Sequence, residues 1–148
     1  QVFSIIWMIA VLNLVSSLRK ISTGNRIYKE NHMSIPASET VILITRNGMG
    51  EGTPELQTKL ISVYLKLIDE NNILPAAICF YTDGVKLATN GSPVIESLKS
   101  LEKKGVRLIL CSTCLNFYNL ADQVAVGITG GMGDIIDAQF KAEKVISI

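Results

Sequence analysis

The chain has 148 residues, 48% of them hydrophobic, and a formal net charge of +1 from 14 basic and 13 acidic residues. This is enough for one domain with its own core, without disulfide or metal staples. The balanced charge argues against nucleic-acid binding, and three cysteines are too few for a secreted disulfide scaffold. We therefore expect a protein of the reducing cytoplasm that does not bind nucleic acid.

The first segment, residues 1–32, is an apolar leader that differs from the rest of the chain. Residues 2–18 carry no charge and approach the length that crosses a bilayer, and Arg19 and Lys20 follow them. Three interpretations stay open: a membrane anchor, translation upstream of a true start at Met33, and the tail of an upstream domain. We predict one domain over residues 33–148 and assign no role to His32, the only histidine.

Apolar runs alternate with helical patterns from residue 41 onward. A strand is predicted at Val41–Thr45, and Thr53 and Pro54 then predict the start of a helix, as N-cap and first residue. Later runs predict strands within 76–82, 106–112, 124–129 and 144–148, with helices over 92–104, 113–120 and 132–142. Continuous apolar strands between amphipathic helices indicate parallel pairing. The predicted fold is an α/β protein, a three-layer α/β/α sandwich with a mainly parallel five-stranded sheet.

In such sheets the ligand binds outside the carboxyl ends of the strands. Four loops are predicted there: 46–52, 83–86, 111–114 and 129–133. Three of them are rich in glycine or other small residues, which let the backbone approach a ligand closely. We predict that residues of three loops contact the substrate: Asn47, Gly48, Asp83, Gly84, Lys86, Ser112 and Thr113.

Cys111 and Cys114 form a CxxC pair where the third strand meets the following helix. Backbone N–H groups and the helix dipole at this junction favour the thiolate, the reactive form of cysteine. We predict that Cys111 is the nucleophile and that Cys114 resolves a mixed disulfide or takes over a transferred sulfur. The alternative is that both only pack, as free cysteines often do. Cys79 lies inside a predicted strand, where a packing role is expected.

No cofactor or resident metal is predicted. Two cysteines supply half of a zinc site and no histidine lies near them, so a metal is conceivable only between two subunits. The loop "RNGMGEG" lacks the GxGxxG and P-loop signatures of nucleotide sites. Lys86 is either a partner of the reactive sulfur or a solvated surface residue. Asp134 is predicted to stabilise the last helix.

Three stretches resemble a known family: "ILITRNGMGEGTPELQTKL", "FYTDGVKLATNGSPVIESLKSLEKKGV" and "CSTCLNFYNL". They are similar to the DsrE-like domain of YedF-type, sulfurtransferase-like proteins linked to selenium metabolism. The resemblance covers residues 41–148 and implies a parallel α/β sandwich of the DsrE/DsrF class, homo-oligomers such as trimers or hexamers, and a cysteine that carries sulfane sulfur as a persulfide. Cys111 matches that cysteine, and Cys114 matches the second cysteine of the YedF-type motif. Ser112 stands where the motif usually has glycine, and nothing before Thr40 resembles the TusA-like domain of those proteins.

Three functions stay open at this point. The first is a persulfide carrier or sulfurtransferase that works between a sulfur donor and an acceptor protein, with a TusA-like carrier as a candidate partner. The second is a non-enzymatic oligomeric binding module. The third is a redox sensor in which Cys111 and Cys114 form a disulfide. The membrane is a partner only if residues 1–32 are a real anchor.

Overall fold

The computed structural model describes residues 36–148, and a sheet of five parallel strands forms the centre of this part of the chain. The strands are β1 (Thr40–Ile44), β2 (Ala77–Phe80), β3 (Arg107–Cys111), β4 (Ile128–Gly130) and β5 (Lys144–Ser147). Their order across the sheet is β4-β3-β2-β1-β5. The predicted α/β fold with a parallel five-stranded sheet is confirmed. The predicted apolar leader, residues 1–32, lies outside the described residues.

The helices are α1 (Pro54–Glu70), α2 (Ile95–Lys103), α3 (Ser112–Phe117) and α4 (Met132–Lys141), with short 3₁₀ helices at Ala37–Glu39, Thr82–Ala88 and Ala121–Gln123. The chain runs from β1 to β4 in one direction, and α4 then leads back across the sheet to β5. Because parallel crossovers are right-handed, this reversal places α4 on the opposite face from α1 and α2. Within residues 36–148, no helix is long and apolar enough to span a membrane.

The central strands are buried on both faces, which explains their continuous apolar sequences. Every residue of β1 and β2 is buried. The start of α1 is as predicted: Pro54 is its first residue, and the hydroxyl oxygen of Thr53 accepts a hydrogen bond from the N–H of Leu56 at 3.4 Å. The helix then buries three residues at helical spacing, Ile61, Leu65 and Ile68.

Several predicted boundaries are wrong, among them the start of α2, which is Ile95 rather than residue 92. Residues 124–127, predicted as the start of β4, instead form a loop in which Val124 bridges to Thr89. Gly127 has φ +87°, and a Cβ on it would meet Leu108 and Leu110 of β3. Helix α3 ends at Phe117 rather than at residue 120, since Asn119 adopts a left-handed φ of +54°. The predicted loop 83–86 belongs to the 3₁₀ helix Thr82–Ala88.

Cys79 lies in the middle of β2 and is 0% exposed. Burial raises the pKa of its thiol from 9.0 to about 11, and the charge of Arg107 offsets only part of this effect. Below pH 9 the thiol is protonated in both folded and unfolded chains. Between these two pKa values the unfolded chain releases a proton that the folded chain keeps, so the free energy of unfolding falls as the pH rises. We expect Cys79 to account for a loss of about 2 to 3 kcal/mol by pH 11.

Urea denaturation of the wild type and of Cys79→Ala, at a series of pH values from 8 to 11, measures this loss. The variant is less stable at pH 8 because it lacks a buried side chain, but its stability should fall less on going to pH 11. Ile78→Val is the matched control, since it removes buried volume from the neighbouring position without changing an ionisable group. Equal pH dependence in the wild type and Cys79→Ala would contradict the prediction.

Candidate functional site

The two cysteines of the CxxC pair lie at the carboxyl edge of the sheet. Cys111 is the last residue of β3, and Cys114 lies in the first turn of α3. Both thiols are free, but Cys111 is only 1% exposed whereas Cys114 is partly buried. The two side chains therefore differ in their access to a second molecule.

The pleat of β3 explains why Cys111 is buried. Cys111 pairs in register with Gly130 of β4 and points to the same face of the sheet as Ile109. Helix α4 covers that face: a Cβ added to Gly130 would meet both the side chain of Ile109 and that of Asp134 in the first turn of α4. Asp134 also accepts a hydrogen bond from the N–H of Gly131 at 2.7 Å, which supports its predicted role at the start of the helix.

Cys114 points toward the 3₁₀ helix that follows β2. The backbone N–H of Thr82 donates a hydrogen bond to the Cys114 sulfur over 3.0 Å. Thr82 has a left-handed φ of +50°, which a β-branched residue rarely adopts. Its hydroxyl lies within hydrogen-bonding reach of the carbonyl oxygens of Thr45 and Tyr81, and these contacts hold the strained conformation. Strain of this kind occurs mainly at functional sites.

A cavity of about 250 Å³ opens beside the Cys114 sulfur. Its walls are Thr82, Thr113, Cys114, Phe117 and Tyr118. Phe117 is 79% exposed, and its ring stands edge-on to that of Tyr118 with the centroids 5.1 Å apart. The cavity gives a second molecule a route to Cys114.

Lys86, Asp83 and Tyr118 form a cluster at the edge of this cavity. The Lys86 ammonium pairs with the Asp83 carboxylate and lies 4.2 Å from the centre of the Tyr118 ring. Lys86 holds the pKa of Asp83 below its usual range, and the Asp83 carboxylate raises the pKa of Tyr118. Lys86 is thus engaged by Asp83 and Tyr118, and its contacts give no support to the predicted interaction with a cysteine sulfur.

The pKa of Cys114 is raised, first by partial burial and then by the neighbouring Cys111. Cys111 raises the pKa of Cys114 mainly through a hydrogen bond between the two side chains, and its charge adds a smaller effect. The Thr82 N–H acts in the opposite direction because it donates to the Cys114 sulfur. At neutral pH Cys114 is therefore mostly a thiol, and Cys111 influences how readily it ionises.

We expect the substitution Cys111→Ala to make Cys114 react faster with iodoacetamide at pH 8, by about two- to fivefold, because removing Cys111 lowers the pKa of Cys114 and raises its thiolate fraction. Native-state alkylation followed by peptide mapping measures the rate at Cys114. Cys79→Ala is the control, since it removes a different buried thiol and should leave the rate unchanged. An equal or slower rate in Cys111→Ala would show that Cys111 does not hold the proton on Cys114.

Two glycines predicted to contact the substrate, Gly48 and Gly84, are buried and closely packed. A Cβ on Gly84 would lie 2.0 Å from the carbonyl oxygen of Ile44, and a Cβ on Gly48 would lie 2.5 Å from Cβ of Gln57. Each position needs glycine because there is no space for a side chain. Their contacts are explained by packing alone.

A second cavity, of about 390 Å³, lies at the carboxyl ends of β1 and β5, with walls formed by Thr45, Arg46, Met49, Gly50, Glu51, Ser147 and Ile148. Arg46 is held there by an ion pair with Glu51 at 2.7 Å. Asn47 is exposed and Ser112 is partly buried, and neither lines this cavity or the one beside Cys114. Of the predicted substrate-contacting residues, the structure brings Thr113, Asp83 and Lys86 close to Cys114.

Thr82, Phe117 and Tyr118 belong to the site but were not predicted as substrate-contacting residues. Nothing in a sequence marks a threonine that will adopt a positive φ, so Thr82 could not be found in advance. The two aromatic residues lie three and four positions after Cys114, and that proximity in sequence was the available signal. Among the described residues, no group of three or more His, Cys, Asp or Glu side chains is placed to hold a metal ion.

The fold and the site together define a parallel α/β domain with two free thiols at the carboxyl edge of its sheet. The sequence profile of the DsrE/DsrF-like family matches residues 41–148, and the chain belongs to this family. No curated protein sequence shows a significant match to the chain.

Three solved structures are similar in fold. The ychN protein from E. coli has a TM-score of 0.54 and 19% sequence identity, over 74% of this chain and 99% of its own. The protein of unknown function MTH1491 from Methanobacterium thermoautotrophicum has a TM-score of 0.55 and 19% identity, over 74% of this chain and 97% of its own. The conserved protein of unknown function BT1422 from Bacteroides thetaiotaomicron has a TM-score of 0.54 and 15% identity, over 78% of this chain and 99% of its own. At these identities the likeness concerns the fold alone.

Proposed function

We propose that this protein is a thiol-based sulfur carrier, which takes sulfane sulfur from a donor persulfide and passes it to an acceptor protein. The observation that carries the proposal is the setting of Cys114, which lines a cavity. Its sulfur accepts a hydrogen bond from the Thr82 N–H, and a second thiol, Cys111, lies beside it. Membership of the DsrE/DsrF-like family supports the same chemistry.

The geometry favours Cys114 as the thiol that first meets the donor. Cys111, the nucleophile predicted from the sequence, is 1% exposed at the end of the buried strand β3. A donor persulfide needs an open approach to the attacking sulfur, because the two sulfurs must come into contact. We assign Cys111 the role of a buried partner that controls the ionisation of Cys114.

The transfer step needs no oxidant or cofactor. The Cys114 thiolate attacks the outer sulfur of the donor R–S–SH, a new S–S bond forms, and the S–S bond of the donor breaks. The donor leaves as a thiolate and takes up the proton that Cys114 released, so that Cys114–SH and R–S–SH become Cys114–S–SH and R–SH. An acceptor thiol then attacks the outer sulfur of Cys114–S–SH by the same chemistry, which regenerates Cys114–SH.

We propose a protein donor and a protein acceptor for this exchange, with a TusA-like carrier as the first candidate, and a homo-oligomer working in the reducing cytoplasm. Reduced thiols are the form that the step requires. The same thiol chemistry serves selenium as well as sulfur, so a role in selenium metabolism belongs to the proposal and depends on the donor.

The test is intact-protein mass spectrometry of the reduced chain after incubation with a persulfide donor, with peptide mapping of the added sulfur. We expect one added sulfur atom per chain, located on Cys114 and removed again by an acceptor thiol. Sulfur found only on Cys111 would reverse the assignment within the pair. No added sulfur on either cysteine would overturn the carrier function.

A second candidate, a non-enzymatic assembly module, is favoured by one observation on α1. Four apolar residues form a stripe along its outer side, each 43–50% exposed: Leu56, Leu60, Val63 and Leu67. Their spacing of four, three and four residues is that of a helix–helix contact seam. If the stripe forms a subunit contact while Cys111 and Cys114 stay unreactive toward every donor in the folded protein, this candidate replaces the carrier.

A further inference from the structure

The cavity beside Cys114 has no charged wall. Its five lining residues, two threonines, one cysteine and two aromatic residues, are all uncharged at neutral pH. The charges at its edge, Lys86 and Asp83, are paired with each other, and the Lys86 ammonium is further occupied by the face of the Tyr118 ring. A molecule that enters the cavity therefore meets no free cation.

This absence of free charge discriminates between classes of sulfur donor. Thiosulfate, or a persulfide whose body carries ionised carboxylates, would lose hydration on entering the cavity without gaining a counter-charge. Asp83, whose carboxylate stays ionised because Lys86 lowers its pKa, adds negative charge nearby. A donor with an apolar, uncharged body instead gains free energy by covering Phe117 and Tyr118.

The size of the cavity and the exposure of Phe117 indicate how the donor is presented. A volume of about 250 Å³ is below the usual range for small-molecule pockets and suits a group no larger than one or two side chains. Phe117 extends beyond the cavity and is 79% exposed, so it offers apolar surface to whatever surrounds the persulfide. A cysteine persulfide on a protein segment fills the cavity and covers Phe117 at the same time.

We infer that the donor of this protein is a cysteine persulfide flanked by uncharged, apolar residues, which seat against Phe117 and Tyr118 while Cys114 takes the outer sulfur. The inference rests on the proposed carrier function and adds the substrate class to it. Phe117 is then a specificity-determining residue, and the Lys86–Asp83 pair keeps the cavity closed to anionic donors by leaving it without a free positive charge.

The probes are two blocked peptides, each carrying one cysteine persulfide, flanked in one peptide by leucine and in the other by aspartate. The rate of sulfur loading on Cys114 is measured with each peptide. This rate is divided by the rate at which the same peptide transfers sulfur to a short unstructured peptide thiol, which removes differences in the intrinsic reactivity of the two persulfides. We expect the normalised rate with the leucine peptide to be about tenfold higher. Phe117→Ala should lower the normalised rate with the leucine peptide about fivefold and reduce the preference for that peptide over the aspartate peptide by a similar factor.

Two further variants separate donor recognition from general effects on the surface. Phe140→Ala removes another exposed phenylalanine, 86% exposed on α4, and should leave both rates unchanged. Thr113→Lys places a free cation in the cavity wall and should raise the rate with the aspartate peptide about fivefold.

The outcomes distinguish the two levels of the proposal. Equal normalised rates for the two peptides, or a preference for the leucine peptide that survives Phe117→Ala, would overturn the inferred donor class. The carrier function would still stand in either case, provided that sulfur is loaded on Cys114. Loading from neither peptide, nor from any other persulfide, would overturn both.

Discussion

Replacing Cys114 with serine is expected to lower the rate of persulfide loading by at least about a hundredfold, because a hydroxyl at neutral pH does not attack sulfane sulfur as a thiolate does. The effect should be specific to this position. Cys114 is the thiol that lines the cavity, and the N–H of Thr82 supports its negative charge by donating to the sulfur. The measurement is the time course of added mass in the intact protein, with circular dichroism to show that the variant keeps its fold.

Two matched cysteine-to-serine substitutions are the controls for Cys114→Ser. Cys79→Ser alters a thiol inside β2 and should load at the wild-type rate. Cys111→Ser leaves the partly buried Cys114 in the wall of the cavity and should still load. If Cys111→Ser abolished loading while Cys114→Ser retained it, Cys111 would be the nucleophile, as its position at the strand end had suggested.

The substitution with the largest expected effect on stability is Gly84→Ala. A Cβ at this position would lie 2.0 Å from the carbonyl oxygen of Ile44 and 2.7 Å from its carbonyl carbon. These are backbone atoms of a buried strand, so they cannot turn away as a flexible side chain would. We expect the free energy of unfolding to fall by about 3 kcal/mol or more, since the 3₁₀ helix must move away from β1. Thr82 belongs to the same helix, so its hydrogen bond to Cys114 should weaken as well.

Urea denaturation compares Gly84→Ala with Gly133→Ala. Gly133 lies in the first turn of α4, and a Cβ there would meet nothing within 4 Å. Its replacement should change stability by no more than about 1 kcal/mol, and in the stabilising direction, because alanine favours the helix. If the two variants were equally stable, the close approach between Gly84 and Ile44 would not matter for folding.

The elements whose sequences carry a strong local signal were predicted well. Helix α1 starts at Pro54 because Thr53 caps it, and both features depend on residue types that can be read directly from the chain. The strands β1 and β2 were found because burial on both faces requires continuous apolar residues. The start of β4 was misplaced because Val124 and Val126 are apolar for a different reason: Val126 belongs to the core and Val124 packs against it, while Val124 bridges to Thr89 rather than to β3.

The position of the site was predictable from the sequence, but its internal geometry was not. A parallel sheet places its functional groups at the carboxyl ends of the strands, and both cysteines are there. Which of them is accessible depends on the packing around the end of β3, which buries Cys111, and on the short helix α3, which places Cys114 in the wall of the cavity. The φ of Thr82 and the pairing of Lys86 with Asp83 arise from tertiary contacts that no local pattern encodes.

The order of the strands also governs how the domain is completed during synthesis. Strand β1 pairs with β2 on one side and with β5 on the other, and Thr40, the first residue of β1, is in register with Lys144 of β5. The first four strands can associate as they leave the ribosome, but one edge of β1 keeps its backbone N–H and C=O groups unpaired until β5 arrives. Such long-range closure is slow relative to local pairing. The nascent chain therefore exposes an apolar strand edge until β5 has been synthesised, and this is the interval in which binding by a chaperone would protect it from aggregation.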